Sequence, residues 1–212
     1  MQTRFIVFRH GETDWNARRL LQGSSDIPLN ENGRKQAAAG MNAVKNIDFD
    51  LAFSSDYIRA VETSQIVLAE KNISLQTDVR LREWDCGDWE GAYCPDFFKA
   101  HPETIPAMID GVGELDTPNG ESRDDVRKRI HAFFTEAVEK YPGRTIFICI
   151  HGAALRCMLE LPVGRIQPGQ FLPLSDNLAR NEIIYNHRSN AWGLAEWNYR
   201  GHLEELTLTP AF

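Results

Sequence analysis

Two apolar segments that each run into a His-Gly pair constrain the fold of this chain most strongly. Residues 5–8 are aromatic or β-branched and are followed by Arg-His-Gly at 9–11, whereas residues 145–150 form the most apolar segment and are followed by His-Gly at 151–152. Short apolar runs of this kind predict strands that are buried on both faces. Ligands of open α/β sheets bind at the carboxyl ends of the strands, so both histidines are predicted to lie where a ligand would bind.

Helical patterns alternate with further strand candidates along the chain. Asn30 and Ser122 are suited to cap helices, Ser122 as part of a capping-box variant. The candidates in chain order are a helix over 31–44, a strand at 51–53, a helix over 57–68, a long helix after Ser122, and strands at 181–186 and 191–197. This alternation predicts the α/β class.

The length of the chain bounds its domain organisation. Its 212 residues suit one α/β domain over residues 1–212. Residues 92–117 are polar and aromatic, contain a helix candidate near 95–101 and are interrupted by Pro and Gly. We interpret this segment as a lid-like excursion from the domain rather than as a second domain.

Charge, cysteine content and hydropathy narrow the class of protein. The net charge of −7 argues against a nucleic-acid surface, which needs a basic face, but it is compatible with a small anion site. The four cysteines form no CxxC pair and no zinc-ribbon spacing, which fits a reducing compartment. No run is apolar enough for a signal segment or a bilayer span. We therefore expect a cytoplasmic protein without nucleic-acid or membrane partners.

Several polar residues beyond the two histidines are candidates for a site. Arg59 falls in the first helical turn after the strand at 51–53, where free N–H groups disfavour a cation, so its presence suggests a nearby anion. A surface ion pair of Arg59 with Glu62 or Asp56 is the alternative. In the loop after the first strand, Asn16 and Gln22 are candidate donors, whereas Arg18 and Arg19 are interpreted as surface charges.

The segment 81–91 concentrates carboxylates, two Trp and two Gly in a pattern that fits neither helix nor strand. A carboxyl group beside indole rings can have a raised pKa through desolvation, which suits a general acid. A structural loop anchored by its Trp residues is the alternative. At the other His-Gly pair, the N–H groups of Gly152 and Ala153 begin a helix and are predicted to point at a bound anion.

These observations combine into one predicted anion pocket. Right-handed crossovers bring the ends of parallel strands to one edge, so Arg9 with His10, Arg59 and His151 can converge. Two guanidinium groups, two imidazoles and helix-end amides suit a dianionic phosphoryl group. We exclude a metal site because the two adjacent guanidinium groups would repel a divalent cation and cannot lose their protons.

The chain resembles the histidine phosphatase superfamily, which has the phosphoglycerate mutase-like fold. The matching motifs, in the family's order, are Arg9-His10-Gly11-Glu12-Thr13, Asn16, Gln22-Gly23, Asp26-Ile27-Pro28-Leu29, Ser54-Ser55-Asp56, Arg59-Ala60, Thr63, Leu81-Arg82-Glu83, Gly87-Asp88-Trp89-Glu90-Gly91, Pro118-Asn119-Gly120-Glu121-Ser122 and His151-Gly152. One departure is Ala153, where a second Gly is common. Only the backbone N–H is needed at that position.

The resemblance implies a three-layer α/β/α sandwich around a mostly parallel sheet. It also implies a phosphorylated nucleophile at His10 and a proton donor at Glu83. The implied phosphate pocket consists of Arg9, Arg59 and His151 with Asn16 as an added donor, and we count Gln22, Gly23, Gly152 and Ala153 with it. We expect the flanking guanidinium groups to lower the pKa of His10, which must be neutral to attack.

The acid segment, residues 83–87 with the implied proton donor Glu83, bears on whether the activity is that of a mutase or a phosphatase. Cofactor-dependent mutases of this family resemble one another in carrying Glu-Arg-His-Tyr-Gly there, whereas residues 83–87 here read Glu-Trp-Asp-Cys-Gly and offer no cation for a carboxylate. We therefore predict a metal-independent phosphomonoesterase without a cofactor, whose partner is a small phosphorylated metabolite. The alternatives are a cofactor-dependent phosphoglycerate mutase and a non-catalytic module that binds a phosphorylated ligand.

Overall fold

A mixed sheet of six strands is the centre of the described part of this chain, for which we use a computed structural model that describes residues 1–204 and residue 206. The strands are β1 Gln2–Arg9, β2 Leu51–Ser54, β3 Leu75–Thr77, β4 Thr145–Ile150, β5 Arg180–Asn186 and β6 Ala191–Tyr199. They are arranged in the order β3-β2-β4-β1-β5-β6. The four strands from β3 to β1 are parallel, and β5 and β6 add an antiparallel edge.

The helices follow the predicted pattern closely. They are α1 Asp14–Ala17, α2 Glu31–Val44, α3 Ile58–Val67, α4 Cys94–Ala100, α5 Arg123–Lys140 and α6 Gly152–Val163. The Asn30 side chain accepts the N–H of Gly33 over 2.8 Å and caps α2, and Ser122 forms a reciprocal capping box with Asp125 at the start of α5. The prediction of a plain loop after β1 was wrong over residues 14–17, because Thr13 caps the short helix α1 there.

Alternation of side chains along β1 and β4 generates the three layers. Phe5 and Val7 of β1 belong to a core cluster on one face of the sheet with buried residues of α5 and α6. Ile6 and Phe8 belong to a second cluster on the other face with residues of α2 and α3. Helices therefore cover both faces of the sheet, and the predicted α/β/α sandwich is confirmed.

Register brings three strand ends to one edge of the sheet. In the parallel pair β1–β4, Arg9 is opposite Ile150, so His10 and His151 follow at the same level. The backbone N–H of His10 bonds the carbonyl of Ile150 over 3.0 Å. Strand β2 pairs in parallel with the other side of β4, so it ends at the same edge of the sheet. Helix α3, with Arg59 in its first turn, therefore also begins at this edge.

The excursion at 92–117 has secondary structure of its own. It contains α4, a 3₁₀ turn at Pro102–Thr104 and a π-helical turn at Pro106–Asp110. Cys94 and Phe97 form a small apolar cluster with Leu21 of the loop that follows β1. The excursion therefore packs beside the carboxyl edge of the sheet. No helix in the described residues combines the length and apolar character needed to cross a membrane.

Candidate active site

His10 follows β1 and is buried in a cavity at the carboxyl edge of the sheet. Its Nδ1 lies 2.7 Å from the carbonyl oxygen of Gly11. A carbonyl can only accept, so Nδ1 carries the proton and Nε2 presents a lone pair. Burial, then the charges of Arg59 and Arg9, lower the pKa of His10 well below its ordinary value of 6.5. The ring is therefore neutral at neutral pH, with the lone pair of Nε2 available.

Arg59 lies in the first turn of α3 and is fully buried. Its Nη1 donates to the carbonyl of Ser25 over 2.8 Å and its Nη2 to the carbonyl of Gly23 over 2.9 Å. The ion pairs among the described residues do not include Arg59, because Asp56 pairs with Arg82 and Glu62 pairs with Arg34. The alternative of a surface ion pair is therefore wrong.

His151 precedes α6 and lies against His10, with ring centroids 5.1 Å apart. Its Nδ1 accepts the Nε–H of Arg59 over 3.2 Å, which assigns the ring proton to Nε2. That Nε2 is buried and has no hydrogen-bond partner within the described residues. Burial, then the charges of Arg59 and the neighbouring histidine, lower the pKa of His151 well below 6.5. The site thus contains a second neutral imidazole, beside His10, with an unused donor at Nε2.

Arg9 is the last residue of β1 and supplies the second guanidinium group. Its Nη1 donates to the carbonyl of Ser175 over 2.8 Å, and its Nε is buried without a partner among the described residues. Burial lowers the pKa of Arg9, while the carboxylates of Glu83 and Asp176 oppose that effect. Arg9 and Arg59 line the same cavity as His10, so two fixed positive charges flank this imidazole.

Glu83 reaches the site from the segment between β3 and α4, and it caps α6. Its Oε1 accepts the N–H of Ala153 over 3.1 Å and that of Ala154 over 3.2 Å. A third N–H, that of Trp84, donates to Oε1 over 2.9 Å. The N–H of Ala153, which we predicted to face a ligand, is therefore taken by the Glu83 carboxyl group, which lies at the N-terminal end of α6. Gly152 lines the cavity itself.

The loop after α1 supplies the remaining predicted residues. Asn16 and Gln22 are buried and line the cavity, whereas Arg18 and Arg19 are exposed, as predicted. The hydrogen-bonding partners of the Gln22 side chain fix the orientation of its amide. The nitrogen donates to Thr13 Oγ1 over 2.8 Å, and the oxygen accepts from Arg59 Nη1 over 3.1 Å.

Gly23 holds this loop in a conformation that favours glycine. Its φ is +52°, and a Cβ there would lie 2.9 Å from the backbone nitrogen of Cys86. The Glu90 carboxylate anchors the next two residues by accepting the N–H groups of Ser24 and Ser25. The carbonyls that bind Arg59 are thus fixed by a constrained turn.

Several residues of the site were not predicted from the sequence. Arg156 of α6 lines the cavity, and the only signal for it is a cation in a largely apolar helix, four residues after Gly152. The amide of Asn177 donates to the carbonyl of His10 over 2.8 Å from a segment without periodicity. The other cavity walls are mainly apolar and include Leu20, Leu21, Trp84, Phe98, Met108, Ile109 and Leu174.

Comparison with known proteins gives the class to which this fold and site belong. Residues 5–200 match the sequence model of the histidine phosphatase superfamily (branch 1), and the chain belongs to this superfamily. Membership supports an enzyme that acts on phosphate esters.

Individual relatives include proteins named as mutases and as phosphatases. Phosphoglycerate mutase-like protein 4 of Arabidopsis thaliana is 33% identical over 208 residues, which cover 94% of this chain and 86% of that protein. YhfR of Bacillus stearothermophilus has a similar structure, with a TM-score of 0.84, 26% identity and coverage of 95% of this chain and 100% of that one. A mycobacterial glucosyl-3-phosphoglycerate phosphatase gives a TM-score of 0.80 and 26% identity, with coverage of 94% and 100%.

Proposed function

We propose that this protein is a metal-independent phosphomonoesterase that hydrolyses a small phosphorylated metabolite through a phosphohistidine on His10, with Glu83 as proton donor. The observation that carries the proposal is the state of His10. Its ring is buried and neutral, with the lone pair of Nε2 available, between the guanidinium groups of Arg9 and Arg59. Such a nucleophile is suited to a dianionic phosphoryl group.

The first half-reaction transfers the phosphoryl group to the enzyme. His10 Nε2 attacks phosphorus in line, and the bond from phosphorus to the ester oxygen breaks. Glu83, in its protonated form, gives its proton to the leaving oxygen, so that the alcohol departs neutral. The guanidinium groups of Arg9 and Arg59 and the Nε2–H of His151 stabilise the charge on the equatorial oxygens. The phosphorylated ring keeps its proton on Nδ1, where the Gly11 carbonyl stabilises the positive charge.

The second half-reaction returns the enzyme to its starting state. Water attacks the phosphorus of phosphohistidine, and the bond to Nε2 breaks. The Glu83 carboxylate takes a proton from that water and is again protonated for the next turnover. Inorganic phosphate leaves, and His10 is once more neutral. Fixed guanidinium charges fill the role that a divalent cation has in other phosphoryl transfers.

The acid segment at 83–87 favours hydrolysis over mutase chemistry. From the acid segment at 83–87, the residues that line the cavity are Glu83, Trp84 and Cys86. None of them is a cation, whereas the cofactor-dependent mutases of this family carry Arg and His directly after the corresponding Glu. The mutase-like name of the Arabidopsis relative keeps that activity as the second candidate.

The test is phosphate release from p-nitrophenyl phosphate in the presence of a chelator. We expect turnover by the wild type and none by His10→Ala. Brief mixing with radiolabelled substrate and denaturation in alkali should trap an acid-labile label on the peptide that contains His10. Interconversion of 3- and 2-phosphoglycerate that depends on bisphosphoglycerate would instead establish the mutase. Binding of phosphate without turnover would establish a non-catalytic module.

A further inference from the structure

Glu83 lies in a segment outside the helices and strands of the fold. Residues 82–86 belong to neither kind of element, although a proton donor needs a fixed position beside the reacting group. The Glu83 carboxyl group accepts the N–H groups of Ala153 and Ala154, but these bonds hold only the tip of the side chain. The backbone from which this side chain extends must be held by other groups.

The guanidinium group of Arg129 in α5 binds the carbonyls of this segment. Its Nη1 donates to the carbonyl of Arg80 over 2.9 Å and to that of Arg82 over 2.5 Å. Its Nη2 donates to the carbonyl of Glu83 itself over 2.8 Å. The next residue of α5, Ile130, is fully buried in the core, so the helix gives this guanidinium group a fixed base.

Glu121 binds the same guanidinium group and also the residues that follow Glu83. Its Oε1 accepts the Nε–H of Arg129 over 2.8 Å and its Oε2 accepts from Nη2 over 2.7 Å, a two-point pairing that fixes the guanidinium plane. The same Oε2 accepts the N–H of Asp85 over 3.1 Å, and the Glu121 carbonyl accepts the Nε1–H of Trp84 over 2.8 Å. The pair therefore holds the chain on both sides of Glu83.

The exposure of this pair argues against a role in stability alone. The side chains of Arg129 and Glu121 are 17% and 29% exposed, and ion pairs that water reaches to this extent contribute little to the free energy of unfolding. Arg129 is also not among the described residues that line the cavity. Any effect of Arg129 on the reaction must therefore pass through the segment that it binds or through its charge.

We propose that Arg129, held by Glu121, is the positioning residue of the proton donor: it fixes the backbone of Glu83 so that the carboxyl group reaches the leaving oxygen of the substrate. This inference rests on the proposed function, in which Glu83 supplies that proton. Proton transfer depends closely on geometry, and a displacement of about 1 Å can cost about 10²-fold in rate.

Arg129→Met tests the proposal with two esters, glycerol 3-phosphate and 2,4-dinitrophenyl phosphate. The first has an alkoxide leaving group that needs a proton, whereas the second has a phenolate that does not. We expect kcat/KM to fall by about 10- to 100-fold for glycerol 3-phosphate and by less than about 3-fold for the activated ester. Arg127→Met is the matched control, because Arg127 lies in the same helix, is 14% exposed and pairs with Glu114 instead, and it should change neither value.

A double variant shows whether the effect passes through Glu83. In a Glu83→Gln background, Arg129→Met should cause no further loss for glycerol 3-phosphate, because the donor that it positions is already absent. Equal losses for the two esters, or losses that multiply in the double variant, would leave Arg129 with a structural role and overturn the proposal. Glu121→Gln, which keeps one acceptor for Arg129, should show the same difference between esters at smaller size and replaces Arg129→Met if that variant does not fold.

Arg129→Lys separates placement from charge. After burial and the charges of Arg59 and His10, the charge of Arg129 also lowers the pKa of His151, so it acts on the site at a distance. Lysine keeps that charge but lacks the planar fork that binds the carbonyls and Glu121 together. We expect Arg129→Lys to retain a selective loss for glycerol 3-phosphate, whereas full recovery of activity would assign the effect to charge and overturn the proposal.

The amide signals of Ala153 and Ala154 measure the position of the Glu83 carboxyl group without any substrate. We expect both proton signals to shift upfield in Arg129→Met, because their shared acceptor moves away, and to stay in place in Arg127→Met. Unchanged signals in Arg129→Met would overturn the proposal even if activity falls. If the signals shift but the wild type releases no phosphate from either ester, the placement of Glu83 by Arg129 stands and the proposed function alone is refuted.

Discussion

Arg59 donates its Nε–H to His151 Nδ1 over 3.2 Å, and this bond fixes the tautomer of the second histidine. The same bond directs the Nε2–H of His151 away from Arg59, where it has no partner in the described residues. Arg59 is thus both a donor to the ligand in the proposed mechanism and the residue that makes His151 a donor. The two contributions are expected to be lost together.

Replacement of Arg59 by Met tests this coupling. We expect kcat/KM to fall by at least about 10²-fold, because a charged donor is lost and His151 loses its orienting partner. The nitrogen chemical shifts of the His151 ring should also move, since Nδ1 no longer accepts a hydrogen bond. Arg34→Met, which removes an exposed ion pair with Glu62, is the control and should change neither observable. An unchanged His151 signal in Arg59→Met would contradict the assigned tautomer.

Replacement of Glu83 by Gln tests the proton donor. The amide keeps an oxygen for the N–H of Ala153 but cannot supply the proton. We expect kcat for an alkyl phosphate to fall by about 10²- to 10⁴-fold, and kcat for an activated ester such as 2,4-dinitrophenyl phosphate to fall far less, because its leaving group needs no proton. Glu103→Gln, at an exposed side chain, is the matched control. Equal losses for both esters would argue that Glu83 acts only by capping α6.

The lowered pKa values of His10 and His151 predict how the stability depends on pH. Both groups stay neutral in the folded state below their ordinary value of 6.5, whereas in the unfolded chain they take up protons there. The unfolded state therefore binds more protons, so the free energy of unfolding should fall as the pH drops below about 6.5, by up to about 1.4 kcal/mol per pH unit for each group.

Urea unfolding between about pH 5 and pH 8 measures this dependence, with each histidine replaced in turn to remove one titrating group. His10→Gln and His151→Gln should each flatten the acid part of the profile. His101→Gln, at a half-exposed position with no unusual burial, should leave the slope as it is in the wild type. If neither site variant changes the slope, the lowered pKa values are not the origin of the pH dependence.

Gly23 provides a test of the loop that holds Arg59. In Gly23→Ala the φ of +52° and the contact of 2.9 Å with the Cys86 backbone both oppose the new methyl group. The left-handed conformation alone should cost about 1–2 kcal/mol in the free energy of unfolding. Gly113→Ala is the matched control, since its φ is +80° but no atom lies within 4 Å of the new Cβ.

We expect Gly23→Ala to lose more stability than Gly113→Ala in urea unfolding, by at least about 1 kcal/mol, because only Gly23 is also crowded. Activity should fall in Gly23→Ala alone, since its carbonyl binds Arg59. Equal effects of the two substitutions would show that the turn at residue 23 does not constrain the site.

The strands and the two histidines at their ends could be predicted because their signals are local. The apolar runs of β1 and β4 exceed what a surface segment would contain, and α2 has a cap and helical periodicity, so its bounds agree with the prediction. The short strand β3 was missed, since its three residues are half-exposed or exposed at the sheet edge and lack an apolar pattern.

Contacts between distant segments could not be predicted in the same way. The bond between Glu83 and the N–H of Ala153 joins residues 70 positions apart, and neither segment carries a signal for the other. The sequence shows Arg156 as a cation in a largely apolar helix. Its place in the cavity wall depends on the excursion, whose Met108 carbonyl accepts its hydrogen bond. Such residues become identifiable only when the sheet fixes which loops meet.

The hydrogen bond from Asn177 to the carbonyl of His10 spans 167 positions of the chain, and that from Arg9 to Ser175 spans 166. During synthesis from the amino terminus, Arg9 and His10 therefore leave the ribosome long before Ser175 and Asn177, which hold them in place. A nascent chain that ends before residue 175 is expected to have no catalytic activity even where β1 has already formed. Under the proposed function, activity would therefore be acquired only when synthesis of the chain is nearly complete.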